Sequence, residues 1–419
     1  MKITKSAQLY NYHKSKLIMP TLLQINVTAN WGSTGKIAED IGRIAISQGW
    51  KSYIAYGRAT NPTSSSSLIP IGNKWDMYFH GMQSRILDNH GLASKTATRN
   101  LIKKIEEIKP DIIHIHNIHG YFINYEILFE YLSTSGKPIV WTLHDCWPFT
   151  GHCAYFDMVN CEKWRNGCNE CQHKSTYPAS FLMSNSGHNY KKKKDSFLSL
   201  KKLTLVPVSN WLSDLLEKSF LANVNKRTIH NGIDINKFKP TQTTNQSTKT
   251  ILGVASIWEK RKGLEDFIKL RELLPDEYNI RLIGLSNKQI ATLPKGITGI
   301  SRTNNFEELL EHYSKADVYV NPTYEDNFPT TNIEALACGT PVITYRTGGS
   351  IEAVDENTGR IVEQGDIGGL VKCIIGICND ANKESTRIAC RERAVALYNK
   401  DDRFMEYMNL YCTLIEKNK

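Results

Sequence analysis

The strongest constraint on the fold of this chain is the regular alternation of short apolar segments with longer amphipathic ones. Parallel strands need a crossover connection, which a helix normally supplies, so the alternation predicts parallel sheets built from strand–helix–strand units. The strands expected in the first half are Leu22–Val27, Ser52–Tyr56, Asp111–His116, Ile139–His144 and Thr204–Ser209. The helices expected there are Gly35–Gln48 and Thr96–Ile108.

The second half repeats this rhythm, which predicts an α/β protein throughout. Its expected strands are Thr250–Ser256, Asn279–Gly284, Asp317–Asn321, Pro341–Tyr345 and Gly359–Val362. Its expected helices are Gly263–Leu274, Phe306–Ser314 and Thr331–Ala337. At 419 residues the chain is too long for one ordinary core, and the polar stretch Thr241–Thr250 has the composition of a linker between two domains.

Composition narrows the class of protein. The chain is 41% hydrophobic and 22% charged, as in soluble globular proteins, and no run of about 18 apolar residues predicts a membrane span. No signal peptide is recognised, so we expect a cytoplasmic location in which the 10 cysteines stay reduced. The net charge is +10, yet no nucleic-acid-binding module is recognised.

A short basic run, Lys191–Lys194, stands out within this charge. It is either a solvated face or a patch that touches an anionic membrane surface or an anionic lipid-linked acceptor. The second reading allows peripheral attachment to the inner face of a membrane.

The stretch from Asn321 to Pro341 carries the most chemical information. Asp326 lies in a polar loop, and Glu334 follows eight residues later on an expected helix that ends at Gly339. The start of a helix offers backbone N–H groups and a positive dipole end to a phosphate, and carboxylates accept hydrogen bonds from sugar hydroxyls. This combination predicts a nucleotide-sugar site.

A cationic segment, Ser256–Gly263, follows the first strand of the second half and opens a helix. Its Lys260, Arg261 and Lys262 would lie at the carboxyl end of a strand, where open α/β sheets bind ligands. Such cations suit a diphosphate. A charged helix start without a ligand is the alternative.

Two features of the first half could contact the other reactant. Gly32, Ser33, Thr34 and Gly35 follow the first strand, where glycines allow a ligand close to the backbone, although a purely structural helix start is equally compatible. A triphosphate-binding loop is not indicated, because Asn30 occupies the position of its first glycine. His144 ends a strand and could donate a hydrogen bond.

Two groups of cysteines and histidines have spacings that could allow them to bind a metal ion. Cys168 and Cys171 have the spacing of a zinc half-site, which Cys153 and Cys161 could complete as a structural zinc, and packed, reduced cysteines are the alternative. His114, His116 and His119 bracket one strand end, but metal binding there is the weaker interpretation.

Several motifs resemble those of the family-4 retaining glycosyltransferases. The matching segments are Glu334–Val342, Lys262-Gly263, Thr347-Gly348-Gly349 and His230-Asn231-Gly232. The resemblance implies the GT-B fold, in which two Rossmann-like domains face each other across a cleft and a C-terminal helix packs back on the N-terminal domain. The segment Cys146–Cys153 resembles the subgroup found with exopolysaccharide and colanic-acid synthesis.

The resemblance also assigns roles. Glu334 would bind the ribose, Lys262 and Arg261 the diphosphate, and Asp326 the transferred sugar, with Glu325 as the alternative to Asp326. The donor would further contact the backbone at Asn327, Phe328 and Thr330, His144 would donate to the sugar, and Gly32–Gly35 would lie near the acceptor. No catalytic metal is expected.

The expected domains are an extension at 1–19, an acceptor domain at 20–229 with a Cys-rich insertion at 146–178, a crossover at 230–250, a donor domain at 251–398 and a terminal helix at 399–419. The implied reaction is transfer from a nucleoside-diphosphate sugar to a saccharide or lipid-linked saccharide. A nucleotide-sugar epimerase and an inactive nucleotide-sugar-binding protein are the alternatives.

Overall fold

The structure, a computed structural model, describes residues 19–61, 63–241 and 248–419. Most of the expected N-terminal extension and the centre of the expected linker lie outside these residues. No helix within the described ranges combines the length and apolar character that crossing a bilayer requires.

The first sheet has seven strands in the order β3-β2-β1-β4-β5-β6-β7. Their bounds are β1 Thr21–Ala29, β2 Lys51–Thr60, β3 Ser67–Pro70, β4 Ile112–Ile115, β5 Ile139–Leu143, β6 Leu203–Pro207 and β7 Asn225–Lys226. Strands β4, β5 and β6 are buried along their whole length, as expected for parallel strands covered on both faces.

Between β1 and β7 the described residues form six α-helices: α1 Gly32–Ser47, α2 Lys74–Leu87, α3 Lys95–Ile108, α4 Tyr125–Thr134, α5 Ser186–Leu198 and α6 Asn210–Glu217. The C-terminal helix is α13 Lys400–Lys417. The end of α13 packs on the first sheet, as the resemblance implied. Tyr407 Oη lies 3.0 Å from Thr142 Oγ1, and Tyr411 Oη lies 2.6 Å from His114 Nδ1.

The second sheet has the order β10-β9-β8-β11-β12-β13, and every pairing in it is parallel. Its strands are β8 Lys249–Val254, β9 Tyr278–Ile283, β10 Ile297–Ile300, β11 Val318–Asn321, β12 Val342–Tyr345 and β13 Gly359–Val362. Its helices are α7 Leu264–Leu273, α8 Asn287–Ile290, α9 Phe306–Lys315, α10 Thr330–Ala337, α11 Ile367–Cys378 and α12 Lys383–Tyr398. This is the doubly wound order of a Rossmann-like domain.

Internal contacts divide the chain into two compact units. The first comprises the described residues up to Leu143 with Asn169–Val206 and Met405–Lys419, and the second comprises His144–Cys168 and Pro207–Phe404. These units differ from the expected boundaries, because the expected Cys-rich insertion is divided at Cys168. Its first part belongs to the second unit, where Met158 N donates to Glu325 Oε1 at 2.9 Å.

The expected strands are all present, and none of their ends is shifted by more than four residues. The position at which helix α1 begins changes the interpretation of the candidate acceptor segment Gly32–Gly35. Helix α1 begins at Gly32 rather than Gly35, so Gly32–Gly35 form its first turn and not a loop before it. The reason is that Trp31 has the extended conformation of an N-cap, while Asn30 takes the left-handed turn at φ 48°.

Candidate active site

The candidate donor segments lie at the switch point of the second sheet. The strand order reverses between β8 and β11, and open α/β sheets bind ligands beyond the carboxyl ends of the strands at such a point. The loop 255–263 follows β8, and the loop 322–329 follows β11. Adjacent strands therefore bring the two segments together.

Glycines allow these loops to approach each other closely. Gly263 has φ +72°, and a Cβ there would lie 2.2 Å from the carbonyl oxygen of Pro322. A Cβ on Gly348, with φ +50°, would lie 2.0 Å from the carbonyl oxygen of Asp326. Both positions therefore require glycine, which gives a structural reason for two of the motifs.

Lys262 and Asp326 form the central ion pair of the site, with Lys262 Nζ donating to Asp326 Oδ2. The two side chains are only 19% and 15% exposed. Burial of this degree keeps water from screening the pair fully. The attraction within this pair is therefore stronger than in a fully exposed ion pair.

Arg261 is engaged mainly in holding the neighbouring loop. Its Nη1 donates to the carbonyl oxygen of Glu325 at 3.0 Å, and its guanidinium lies 4.8 Å from the ring centre of Tyr155. Its own carbonyl oxygen accepts from Tyr324 N at 2.7 Å. Lys262 is therefore the better placed of the two cations for a diphosphate.

The structure separates the two acids whose roles the sequence left open. Glu325 is buried, and its Oε1 accepts from Met158 N at 2.9 Å, so it anchors the segment around Asp157. Asp326 instead pairs with Lys262. This geometry favours Asp326 as the acid that contacts a ligand.

Asp157, next to the Met158–Glu325 contact, makes the free energy of unfolding depend on pH. Burial raises its pKa to about 7, and the carboxylates of Glu325 and Glu162 add to the effect. A group whose pKa is raised on folding holds its proton more tightly in the folded state, so the free energy of unfolding falls as pH rises from about 4 to about 7.

We expect Asp157→Asn to remove this fall. The variant should be about 1–2 kcal/mol more stable than the wild type at pH 8, because Asp157 is partly exposed, and much closer to it at pH 5. Urea unfolding at both pH values measures this. Glu356→Gln, at an exposed position of the same unit, is the control, and equal stability of wild type and Asp157→Asn at pH 8 would contradict the assignment.

Glu334 is oriented by a residue that sequence reasoning missed. Tyr313, on α9, donates from its Oη to Glu334 Oε2 at 2.9 Å. The helix carrying Glu334 is itself fixed by a buried amide, since Asn332 accepts from Asn321 at 2.8 Å and donates to Ser350 at 3.1 Å. Glu334 is thus held on a rigid element.

The remaining donor candidates serve packing as well. Asn327 donates from Nδ2 to the carbonyl oxygen of His144 at 2.6 Å, a contact within the second unit. Phe328 is buried with its ring 5.0 Å from that of His230. Thr330 begins α10, whose N-cap, Pro329, makes no side-chain capping bond.

Asp266 is a second supporting residue that no motif indicated. Its Oδ2 accepts from Tyr324 Oη at 2.7 Å and from Tyr345 Oη at 2.8 Å, which ties the loop after β11 to α7 and β12. Its position on a helix face, three residues after Gly263, carries no recognisable signal. Only the fold brings the two tyrosines to it.

In the first unit, Gly32–Gly35 lie at the carboxyl end of β1, the switch point of the first sheet. A Cβ on Gly35 would come within 2.6 Å of Thr28 Oγ1, whereas one on Gly32 would meet nothing within 4 Å. Gly35 is therefore needed for packing of the helix on the strand. The proposed acceptor role rests on Gly32, Ser33 and Thr34.

The metal predictions find little support in the geometry. No group of three or more histidine, cysteine or acidic side chains in the described ranges is arranged to hold a metal ion. Cys153, Cys161 and Cys168 belong to the second unit and Cys171 to the first. Cys168 Sγ accepts from Gly151 N at 3.1 Å, and no disulfide joins the described cysteines. Structural zinc remains a prediction that metal analysis must test.

His114, His116 and His119, which the sequence analysis considered as metal ligands, are hydrogen-bonded to protein groups. His114 Nε2 lies 2.8 Å from Thr142 Oγ1, His116 Nε2 lies 3.0 Å from Gln24 Oε1, and His119 Nδ1 lies 3.0 Å from Tyr177 Oη. Each of these side chains thus has a protein partner that accounts for its position without a metal ion.

Comparison with known families identifies the class of protein that this fold and site define. Residues 248–380 match the family model "Glycosyl transferases group 1", and residues 76–237 match "Glycosyltransferase Family 4". Both halves of the chain are therefore glycosyltransferase domains, and the chain is a glycosyltransferase.

Two of the relatives that the chain resembles are named for roles in polysaccharide synthesis. It is 24% identical over 414 residues to the putative colanic acid biosynthesis glycosyl transferase WcaC of Escherichia coli K12, which covers 94% of this chain and 100% of the relative. It is 24% identical over 238 residues to the capsular polysaccharide biosynthesis glycosyltransferase CapM of Staphylococcus aureus, covering 51% and 63%.

Solved structures confirm the expected GT-B class of fold. Sucrose-phosphate synthase from Thermosynechococcus elongatus superposes with a TM-score of 0.71 at 18% identity, covering 95% of this chain and 100% of the other. Anabaena Alr3699/HepE in complex with UDP gives 0.63 at 13% identity, covering 94% and 100%. At these identities the likeness concerns the fold alone.

Proposed function

We propose that this protein is a retaining glycosyltransferase that moves a sugar from a nucleoside-diphosphate sugar to a saccharide or lipid-linked saccharide. The observation that carries the proposal is the Lys262–Asp326 pair at the switch point of the second sheet. A cation and a carboxylate side by side match the neighbouring diphosphate and sugar of such a donor. The relatives WcaC and CapM support a role in cell-surface polysaccharide synthesis.

Each residue has a separate task in the proposed reaction. Lys262, with Arg261 beside it, offsets the charge that develops on the departing diphosphate. Glu334, oriented by Tyr313, accepts the ribose hydroxyls, and Asp326 accepts hydroxyls of the sugar. Backbone groups of Asn327, Phe328 and Thr330 line the phosphates, and His144 donates to the sugar.

The chemistry needs no covalent enzyme intermediate. The acceptor oxygen forms a bond to the anomeric carbon on the face from which the diphosphate leaves, while the bond from that carbon to the diphosphate oxygen breaks. The acceptor proton passes to an oxygen of the leaving diphosphate. Gly32, Ser33 and Thr34 are proposed to lie near the acceptor, which would be held at an anionic membrane surface if it is lipid-linked.

Donor screening followed by product analysis tests the proposal. Thermal-shift measurements with a panel of UDP- and GDP-sugars should reveal one donor class that raises the melting temperature. Transfer with that donor should then give a product whose anomeric configuration, read by NMR, equals that of the donor. Inversion would overturn the retaining mechanism, and conversion of the donor without acceptor would indicate an epimerase. A shift without any transfer or conversion would indicate an inactive nucleotide-sugar-binding protein, and the absence of any shift would overturn the proposed donor site.

A further inference from the structure

The first unit presents an apolar surface formed by α2 and the segment 181–183. Five of its side chains are more than half exposed, at 56–71%. We call the following set the apolar face: Trp75, Tyr78, Phe79, Met82, Ile86, Leu87, Phe181, Leu182 and Met183. Isolated exposed hydrophobic residues are common, but a contiguous group of this size marks an interaction site.

Helix α2 is oriented so that its apolar stripe points outward. Residues 75, 78, 79, 82 and 86 follow the helical repeat along one face, and the rings of Trp75, Tyr78 and Phe79 lie 5.8–6.5 Å from one another. The buried face instead carries His80, Gly81 and Ser84. A surface helix normally shows the opposite arrangement.

Specific polar contacts hold the helix in this orientation. His80 Nδ1 lies 2.8 Å from Ser94 Oγ, and His80 Nε2 accepts from Gly91 N at 3.1 Å. Asn73 and Asp76 form a capping box at the start of the helix. Rotation that buried the aromatic stripe would break these contacts, so the exposure is built into the fold.

The segment 181–183 extends the same surface. Phe181 N donates to the carbonyl oxygen of Arg85 at 2.8 Å, and Met183 N donates to that of Ile86 at 3.2 Å. These backbone bonds place the three apolar side chains of the segment beside the end of α2. Leu182, at 71% exposed, is the most exposed large apolar residue in the described chain.

Positive charge accompanies the apolar face. Lys74 and Arg85 are exposed on α2 itself. Helix α5 begins next to the end of α2, where Asn185 N donates to Asp88 Oδ2 at 2.7 Å, and it carries the exposed Lys191 and Lys194. The basic run is only partly available, because Lys193 is buried and Lys192 pairs with Glu126 at 2.9 Å.

We propose that the apolar face docks this enzyme onto an anionic lipid bilayer. Tryptophan and tyrosine favour the boundary between headgroups and acyl chains, and exposed lysine and arginine beside them attract anionic headgroups. A second copy of this chain fits less well, because a two-fold contact through this face would bring the same cations together. The inference rests on the proposed function and deepens it, since a lipid-linked acceptor would lie in the bilayer on which the enzyme docks.

Vesicle binding tests the proposal without donor or acceptor, so it can fail independently of the proposed transfer. Wild-type protein should sediment with vesicles of phosphatidylcholine and phosphatidylglycerol at 70:30, more weakly with phosphatidylcholine alone, and more weakly at 0.5 M salt. The triple variant Trp75→Ser, Phe79→Ser, Leu182→Ser should bind the mixed vesicles at least tenfold more weakly. Lys191→Glu with Lys194→Glu should reduce the preference for the anionic vesicles.

The matched control is Leu273→Ser, Ile388→Ser, Leu397→Ser, which removes three apolar side chains exposed on the second unit and should bind like the wild type. Circular dichroism and melting temperature check that each variant is folded. Equal vesicle binding by the wild type and by the triple variant of the apolar face (Trp75→Ser, Phe79→Ser, Leu182→Ser) would overturn the proposal. The proposal would also be overturned if light scattering showed that the wild type is a dimer and the triple variant a monomer, and if the wild-type dimer bound no vesicles.

Discussion

Replacing Lys262 by alanine should lower kcat for sugar transfer by about 10²–10³-fold, the usual effect of deleting one group that stabilises developing charge. Lys262 lies at the switch point with its side chain only 19% exposed, so its charge acts through a medium of lower polarisability than water. No other side chain of the loop is as well placed, because Arg261 is turned toward Glu325 and Tyr155.

Lys260→Ala is the matched control for this prediction. Lys260 belongs to the same 3₁₀ turn, Lys260–Lys262, but is exposed, so transfer should stay within about twofold of wild type. Lys262→Ala also leaves Asp326 without its ammonium partner, so its melting temperature must be measured beside its kinetics. Wild-type turnover by folded Lys262→Ala would sink the assignment of the donor site.

Replacing Glu334 by glutamine should weaken nucleotide binding by about 10–10²-fold, because hydrogen bonds to a charged acceptor contribute about 1.5–3 kcal/mol. The proposed binding partner of Glu334 is the ribose, so discrimination between ribonucleotide and 2′-deoxynucleotide is a second measurement that tests the prediction. Wild-type protein should bind a 2′-deoxynucleotide more weakly than the ribonucleotide, whereas Glu334→Gln should distinguish the two much less. Calorimetry with both nucleotides measures this difference.

Two further variants separate direct from indirect effects at Glu334. Tyr313→Phe removes the hydroxyl that donates to Glu334 at 2.9 Å and should produce a smaller loss with the same change in ribose discrimination. Glu307→Gln, at an exposed position on α9, should change neither. Undiminished discrimination in Glu334→Gln would show that the ribose binds elsewhere.

The alternation of apolar segments was sufficient to predict the two parallel sheets. Buried parallel strands such as β4, β5 and β6 are apolar along their length, so they are visible without tertiary information. Helix α2 was not predicted, and the outward orientation of its stripe of Trp75, Tyr78, Phe79 and Met82 depends on tertiary contacts such as those of His80. The usual rule that the apolar face is the buried one does not apply there.

Within the candidate site, the local sequence pointed to the cations at 260–262 after one strand and to Asp326 and Glu334 after another, and the family resemblance proposed their roles. The choice of Asp326 over Glu325 required the fold. These acids are neighbours in sequence, and only the contact of Met158 with Glu325 and of Lys262 with Asp326 distinguishes them.

The loops and strand ends of the proposed site were therefore predictable from local sequence, from the repeat of strand and helix and from the motifs after β8 and β11. Tertiary structure decided which side chains support the proposed site. Tyr313 donates a hydrogen bond to Glu334, and Asp266 accepts hydrogen bonds from Tyr324 and Tyr345. It also decided that α2 exposes its apolar stripe. The physical reason is that these outcomes depend on contacts between residues far apart in sequence, which no single segment specifies.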